Sequence, residues 1–474
     1  MMSPKVCFLF ALPLGIVAGT LARASEVQQS PPNLVFIIAD DCTFRDLECY
    51  GGQAKTPNLN QLATEGMRMT HCFQAAPMCS PTRHCIYTGL YPVRSGAYPN
   101  HTFALPKVKS IAHDLKPLGY RVALSGKRHI SPQSVFPFEY SSKANNPDMD
   151  AIDRFLSDAK SNDEPYCLIA CSNEPHTPWN RGNASQYPPA EVRLPPYVVD
   201  TPKVREDWSK YLAEITYFDH QVGQILEMID KHDDRDNTLV MVVSEQGNSM
   251  PFAKWTCYDN GLQSAMITRW PGHIPANSQS DAIVEYVDIL PTLVQAAGGQ
   301  PVHPIDGRSF LDVLRGKSTQ HKQYTYGLMT TRGINQGSDA YPIRSIRSDR
   351  YRLIWNLNYK QSFQNTLMFS PVYLSIKQRA KSDTTASYWV ERYRKRPEFE
   401  LFDVVEDPMN LHDLSEDPNL QTVKANLLEH LKSWMKQQGD QGMKTELDAL
   451  NRQTRGRKSA NKNSRKKKRK SQAK

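Results

Sequence analysis

Asp40-Asp41 and Glu245-Gln246 offer three carboxylates and an amide oxygen, with no soft ligand among them. Such a set suits a hard divalent cation, calcium before magnesium, because calcium accepts more oxygens and looser geometry. A cation would also relieve the mutual repulsion of clustered carboxylates. Gly126-Lys127-Arg128-His129 and Asn173-Glu174-Pro175-His176 add cationic and proton-transferring side chains. Cys79-Ser80-Pro81-Thr82-Arg83, followed by Thr88-Gly89, is a short pattern whose plain reading is a buried cysteine in a turn made by Pro81. Singly these groups say little, since Asp-Asp and Glu-Gln pairs occur freely in surface loops. Their joint position argues for a site.

That position follows from the elements that carry them. Continuous apolar runs occupy residues 34–39, 121–124, 166–171 and 239–243. The first stops at Asp40-Asp41 and the second just before Gly126-Lys127. The third leads into Asn173-Glu174-Pro175-His176, and the fourth stops at Ser244-Glu245-Gln246-Gly247. Short apolar runs alternating with amphipathic helical stretches indicate an α/β fold, a sheet covered on both faces by helices. In an open α/β sheet, ligands bind beyond the carboxyl ends of the strands, so four strands deliver this chemistry to one edge. A helix is expected over 58–65 with Gly66 as its stop. A longer one is expected over 209–231, with Leu212, Ile215, Val222, Ile225, Leu226 and Ile229 on one apolar face.

After about residue 320 the texture changes. Residues 341–357 pattern as a hairpin around Ser348-Asp349-Arg350. Glu400-Leu401-Phe402-Asp403 follows, then a turn at Glu406-Asp407-Pro408 and a helix over 420–437. The expected organisation is a catalytic domain over 25–320, a smaller α+β domain over 321–450 and a disordered basic tail over 451–474. Residues 1–24 read as an export signal: Lys5, an apolar run over 6–17, then Leu21-Ala22-Arg23-Ala24 with cleavage after Ala24. The run is short for a membrane span, so a periplasmic or secreted protein without stable membrane insertion is expected.

The net charge of +9 arises in the tail. Without the eleven Lys and Arg of residues 455–474 and the leader's Lys5 and Arg23, 45 basic residues face 49 acidic ones. The tail cannot bury apolar area, and its expected partner is at most a polyanion or anionic surface, held loosely. No nucleic-acid partner is expected. Nine cysteines, two of them within or ending an apolar run at Cys167 and Cys171, form no metal pattern and no even disulfide framework.

The ordered set resembles the type I sulfatases of the alkaline phosphatase superfamily across nearly the whole chain. It runs from Asp-Asp through Cys-x-Pro-x-Arg, Gly-Lys-x-His, a Pro-His loop and acid-amide-Gly to the Glu-Leu-Phe-Asp and Asp-Pro close. The resemblance implies an alkaline phosphatase-like large sheet flanked by helices, with a smaller C-terminal α+β domain. It implies that a separate formylglycine-generating enzyme converts Cys79 to formylglycine, whose hydrate attacks sulfur. Asp40, Asp41, Glu245, Gln246 and modified Cys79 would hold one Ca2+; the family usually carries Asp where this chain has Glu245. Arg83 and Lys127 would steady the hydrate, His129 would assist it, and His176 and Lys254 would contact the sulfate and leaving group.

The substrate implied is a sulfated glycan. Residues 126–140, together with Ser80, resemble the heparan N-sulfatase branch, which points to the N-sulfate of glucosamine. His101, Arg94 and Trp179 are candidate sugar contacts. Three alternatives stand beside this: an O-sulfatase acting on another glycan or aryl sulfate, a phosphonate or phosphoester hydrolase of the same superfamily, and an inactive glycan-binding homologue.

Overall fold

The computed structural model describes Met1 and residues 30–453. The rest of the expected leader and the basic run from residue 454 onward lie outside the described residues. Nine strands build the large sheet: β1 (Asn33–Ala39), β2 (Met67–Phe73), β3 (Arg121–Gly126), β4 (Glu139–Tyr140), β5 (Tyr166–Cys171), β6 (Thr238–Ser244), β7 (Gln263–Arg269), β8 (Ser278–Ser280) and β9 (Val284–Glu285). Their order is β4-β3-β5-β1-β6-β7-β2-β8, with β9 also on β2. The expected strands β3, β5, β1 and β6 are four parallel neighbours at its centre. The sheet as a whole is mixed, because β7 runs antiparallel to both β6 and β2.

Although β1 is apolar throughout, its side chains divide strictly between two cores. Val35, Ile37 and Ala39 enter one, and Leu34, Phe36 and Ile38 the other. This is the period-2 alternation of a strand covered on both faces, which is why no polar residue interrupts the run. The first core is closed by α1 (Pro57–Glu65), α3 (Met149–Ser161) and α4 (Pro202–Lys231), through residues such as Leu59, Leu156, Trp208 and Ile215. The second is closed by α2 (Cys79–Thr88) and α5 (Ile289–Ala296), through Ile86, Leu290 and Leu293. Helix α4 starts seven residues before the expected helix. Thr201 caps it, accepting from Val204 N at 3.1 Å, and Pro202 takes the first helical position, where a missing N–H costs nothing.

A second sheet of four antiparallel strands follows: β10 (Thr325–Met329), β11 (Ile343–Arg347), β12 (Tyr351–Asn356) and β13 (Phe399–Asp403). The expected hairpin is β11–β12, and the expected Glu-Leu-Phe-Asp run lies in β13. Between β12 and β13 the chain makes two helices absent from the sequence reading, α6 (Pro371–Arg379) and α7 (Thr384–Arg394). The closing helix is α8 (Gln421–Gln438), whose Leu427, Leu431 and Trp434 share a core with Leu328, Ile346, Leu353 and Leu401 of this sheet. Among the described residues no helix is long and apolar enough to cross a membrane, and the eight described cysteines are free.

Candidate active site

Past the carboxyl ends of the central strands, backbone hydrogen bonds continue the ladder for one more residue. Glu245 N donates to Ala39 O at 2.8 Å, Lys127 N to Cys171 O at 3.0 Å and Asp40 N to Glu174 O at 3.0 Å. The polar residues after β1, β3 and β6 are thereby fixed side by side. Asp41 sits there with a φ of 58°, in the left-handed region that a non-glycine residue enters only at a cost. Gly247 follows Gln246 because the carbonyl oxygen of Asn260 would lie 1.8 Å from a Cβ at that position.

Cys79 is the first residue of α2, and every residue of that helix is buried. The helix ends at Gly89, whose φ of 64° lets its N–H return to Cys85 O at 3.0 Å. From the next turn Arg83 reaches back across the sheet edge. Its Nη2 donates to Glu245 Oε2 at 2.8 Å and lies 3.8 Å from Asp40 Oδ2, while Nη1 donates to Lys127 O at 2.8 Å.

The carboxylates meet cations on all sides. Lys127 donates to Asp40. Lys254 Nζ donates to Asp41 Oδ2 at 2.6 Å, Ser249 Oγ donates to the same oxygen at 2.9 Å, and His176 Nε2 stands 3.6 Å from it. Gln246 Nε2 donates to Asp41 Oδ1 at 2.5 Å and to Asp40 Oδ1 at 3.2 Å. Burial pushes the Asp41 carboxyl up, but Lys254 and His176 more than offset it and hold the group below its ordinary value. Burial dominates at Glu245, whose carboxyl is raised despite Arg83 and Lys127. It also pushes the Cys79 thiol up to about 12, reinforced by Glu245 and Asp41 and opposed by Lys254 and Arg83. An unmodified Cys79 is therefore a neutral thiol, a poor nucleophile at neutral pH.

Two buried oxygens of this cluster have no hydrogen-bond partner, Glu245 Oε1 and Gln246 Oε1. Buried polar atoms in native proteins are almost always satisfied, so these two mark room for a ligand that donates positive charge. With Asp40 and Asp41 they make the oxygen-only donor set that a hard cation takes. Among the described residues no three His, Cys, Asp or Glu side chains already close to ligating distance. Asp40, Asp41, Glu245 and Gln246 are the residues that would hold such an ion, which would supply Lewis-acid charge beside residue 79.

Beside Lys254 and His176 the site opens into a cavity of about 460 Å3. Trp179 lines it, with its Nε1 donating to Pro175 O at 2.8 Å, and so do Asp207, Lys210 and Trp255. Its far wall is Thr366, Leu367 and Ser370–Val372, contributed by the connection between β12 and β13. His101 Nδ1 lies 3.0 Å from His129 Nε2. The structure thus gathers Asp40, Asp41, Cys79, Arg83, Lys127, His129, His176, Glu245, Gln246 and Lys254 at one sheet edge, with Trp179 and His101 beside them. Arg94 instead forms an ion pair with Asp306, which also accepts from Tyr91 N at 2.9 Å. Ser249, Trp255, Asp207, Lys210 and the 366–372 wall escaped the sequence reading. Only Ser249 carried a signal, three residues beyond Gln246 in the same loop.

Comparison with known proteins identifies the family. The family model described as Sulfatase matches residues 32–299, and that described as N-sulphoglucosamine sulphohydrolase, C-terminal, matches residues 247–369. An ulvan-active sulfatase of Formosa agariphila is 31% identical over 438 residues, 89% of this chain and 83% of that protein. The N-sulphoglucosamine sulphohydrolase of Homo sapiens is 24% identical over 456 residues, 85% of this chain and 90% of that protein. A solved structure in complex with its substrate D-glucosamine-2-N,6-O-disulfate has the same fold, with a TM-score of 0.67 at 19% identity over 87% of this chain and 99% of that one. On the strength of the residue 32–299 match and the 31% relative, the chain belongs to the sulfatase family.

Proposed function

We propose that this sulfatase removes sulfate from a sulfated glycan, with Cys79 oxidised to formylglycine by a separate modifying enzyme and one Ca2+ held by Asp40, Asp41, Glu245, Gln246 and residue 79. The observation that carries the reading is the convergence of three cations, Arg83, Lys127 and Lys254, on the carboxylates of the edge where α2 presents Cys79. The modified residue supplies a hydrated aldehyde as nucleophile in place of the thiol, and the ion supplies Lewis-acid charge beside it.

The chain's own residues do the rest. Arg83, Lys127 and Lys254 are held in place before substrate arrives, so they counter the charge growing on the sulfuryl oxygens without reorganising. Arg83 is fully buried and anchored at both ends of its guanidinium, which makes it the most rigid of the three. His176 and Lys254 border both the carboxylates and the cavity, so they stand where the leaving group departs. His176 Nδ1 lies 2.6 Å from Thr177 O, so Nδ1 carries the proton that donates there and Nε2 is turned toward Asp41. A sugar ring fits the cavity beyond, where Trp179 and Trp255 offer aromatic surface and Asp207 and Lys210 offer polar contacts.

Within sulfated glycans, the N-sulfate of glucosamine is supported by the 126–140 stretch and by the family model that matches residues 247–369. The 31% identity to an ulvan-active sulfatase favours a second reading, an O-sulfate on a polysaccharide. Incubating the enzyme with defined N-sulfated glucosamine oligosaccharides and with ulvan, and analysing the products, separates the two. Loss of the N-sulfate supports the first reading, and release from the O-sulfated polymer alone establishes the second. No release from any sulfated substrate by protein whose Cys79 peptide carries the aldehyde mass would sink both.

A further inference from the structure

His129 and His101 share a feature that the catalytic scheme leaves unexplained. Both are non-glycine residues in the left-handed region, with φ of 48° and 54°. Such conformations persist only where their surroundings impose them. One hydroxyl imposes part of this geometry: Ser80, next to Cys79, donates through Oγ to His129 O at 3.0 Å and accepts from Thr102 N at 3.3 Å. The loop bearing His101 is clamped from its other side by the last described residues. Thr102 Oγ1 donates to Arg452 O at 2.9 Å, Arg452 Nη2 to Phe103 O at 2.9 Å and Gln453 Nε2 to Asn100 O at 2.8 Å. The two rings are thereby held with centroids 4.9 Å apart, and His129 Nε2 lies 3.0 Å from His101 Nδ1.

His129 Nδ1, by contrast, is buried and has no partner. Burial, the positive charges of Lys127, Arg83 and Lys254, and that of His101 whenever it is protonated all hold this ring in its neutral form. An N–H pointed into a buried site crowded with cations is repelled, whereas a lone pair is attracted. The proton of the neutral ring therefore belongs on Nε2, and His101 Nδ1 is the acceptor that keeps it there.

We infer that His101 is a positioning residue for His129, fixing the tautomer that leaves His129 Nδ1 as the proton-accepting nitrogen inside the site. The relation is that of any catalytic base to the third group that orients it, here supplied by the imidazole of His101. The inference deepens the glycan-sulfatase reading and rests on it for the kinetic half of its test.

The tautomer is read directly from 15N shifts of His129 in histidine-labelled, full-length protein, with no substrate present. Wild type is expected to show Nε2 protonated. His101→Asn, whose amide oxygen can accept the same proton, should keep that pattern, and His101→Phe should lose it. In turnover of a sulfated substrate, His101→Phe should lower kcat about 10- to 100-fold with KM unchanged, and His101→Asn should restore most of the loss. Wild-type shifts showing Nδ1 protonated, or unchanged shifts in His101→Phe, overturn the inference. So does a rise in KM at constant kcat, which would make His101 a sugar contact instead. If wild type releases no sulfate, the glycan-sulfatase reading fails while the shifts still decide this one.

Discussion

Two of the clusters of buried charge among the described residues, one at the edge of the large sheet and one beside the small sheet, are built to opposite ends. In the small sheet, Arg344 of β11 faces Asp440 with both Nε and Nη2, and Asp440 Oδ1 also accepts from Gly442 N at 3.0 Å. Glu446 Oε1 accepts from Thr331 N, Thr331 Oγ1 and Arg332 N within 2.9 Å. Here both Asp440 oxygens and Glu446 Oε1 are tied to fixed donors from neighbouring segments, which holds strands and loops in register, while Glu446 Oε2 has no partner. At the edge of the large sheet, three cations face the three carboxylates of Asp40, Asp41 and Glu245, yet Glu245 Oε1 and Gln246 Oε1 stay unpartnered. Satisfied buried charge serves the fold. Buried charge left incomplete costs stability, and at the edge of the large sheet it lies beside the proposed nucleophile, where a bound cation would complete it.

The largest effect should come from removing the group about which the incomplete cluster is arranged. Cys79→Ala should bring sulfate release below detection while leaving thermal unfolding close to wild type, since Cys79 has no partner the fold depends on. Sulfate release and unfolding are measured on the same sample, and substantial turnover by the folded variant would refute the proposed nucleophile.

Completing the cluster should show in stability as well as rate. Chelation should abolish turnover and lower the unfolding midpoint, and calcium add-back should restore both, because an ion bound only by the folded state stabilises it. A demetallated enzyme with its full rate would show that the carboxylates serve another purpose.

In the small sheet the pattern should reverse. Arg344→Met strands the Asp440 carboxylate in the interior and should destabilise the protein by about 3–5 kcal/mol, with kcat per folded molecule unchanged. Denaturant titration together with active-site counting checks this. Loss of kcat at constant stability would mean that the two clusters are coupled.

The smallest effect concerns a carboxyl behind the His176 loop. Burial, together with the neighbouring Glu174 carboxyl, pushes Glu214 up to about 8 from an ordinary 4.5, although the N–H groups of Arg181 and Asn180 work against the shift. The folded state therefore binds this proton more tightly than the unfolded chain does. Its contribution to stability is complete below about 4.5 and is lost as pH rises through about 8. Glu214→Gln should flatten the decline of the unfolding midpoint across that window, and an unaltered pH profile would refute the assignment.

Much of the catalytic edge was legible in the residues themselves. The apolar runs that became β1, β3, β5 and β6 each end in polar residues, and strand ends are local events written in consecutive positions. The same local rule failed for β2 and β7, where Arg68, Thr70 and Thr268 break the apolar pattern and the antiparallel pairing shows only in the folded sheet. It failed again for α6 and α7, which fall in a polar stretch of the chain where few apolar positions mark a buried face.

By itself, then, the sequence determined which side chains stand at strand ends and that the donors expected for a cation are all oxygens; that Cys79 opens a helix closed by Gly89, rather than lying in a turn made by Pro81, emerged only in the structure. Tertiary structure alone decided that Arg83 reaches Glu245 from 162 positions away, that residues 366–372 wall the cavity beside His176, and that His101 meets His129. The physical reason is one of range. Burial, periodicity and capping act over a few residues and leave a trace in composition. Contacts between distant segments depend on how strands order and helices cross, and a single side chain's identity carries no record of its partner.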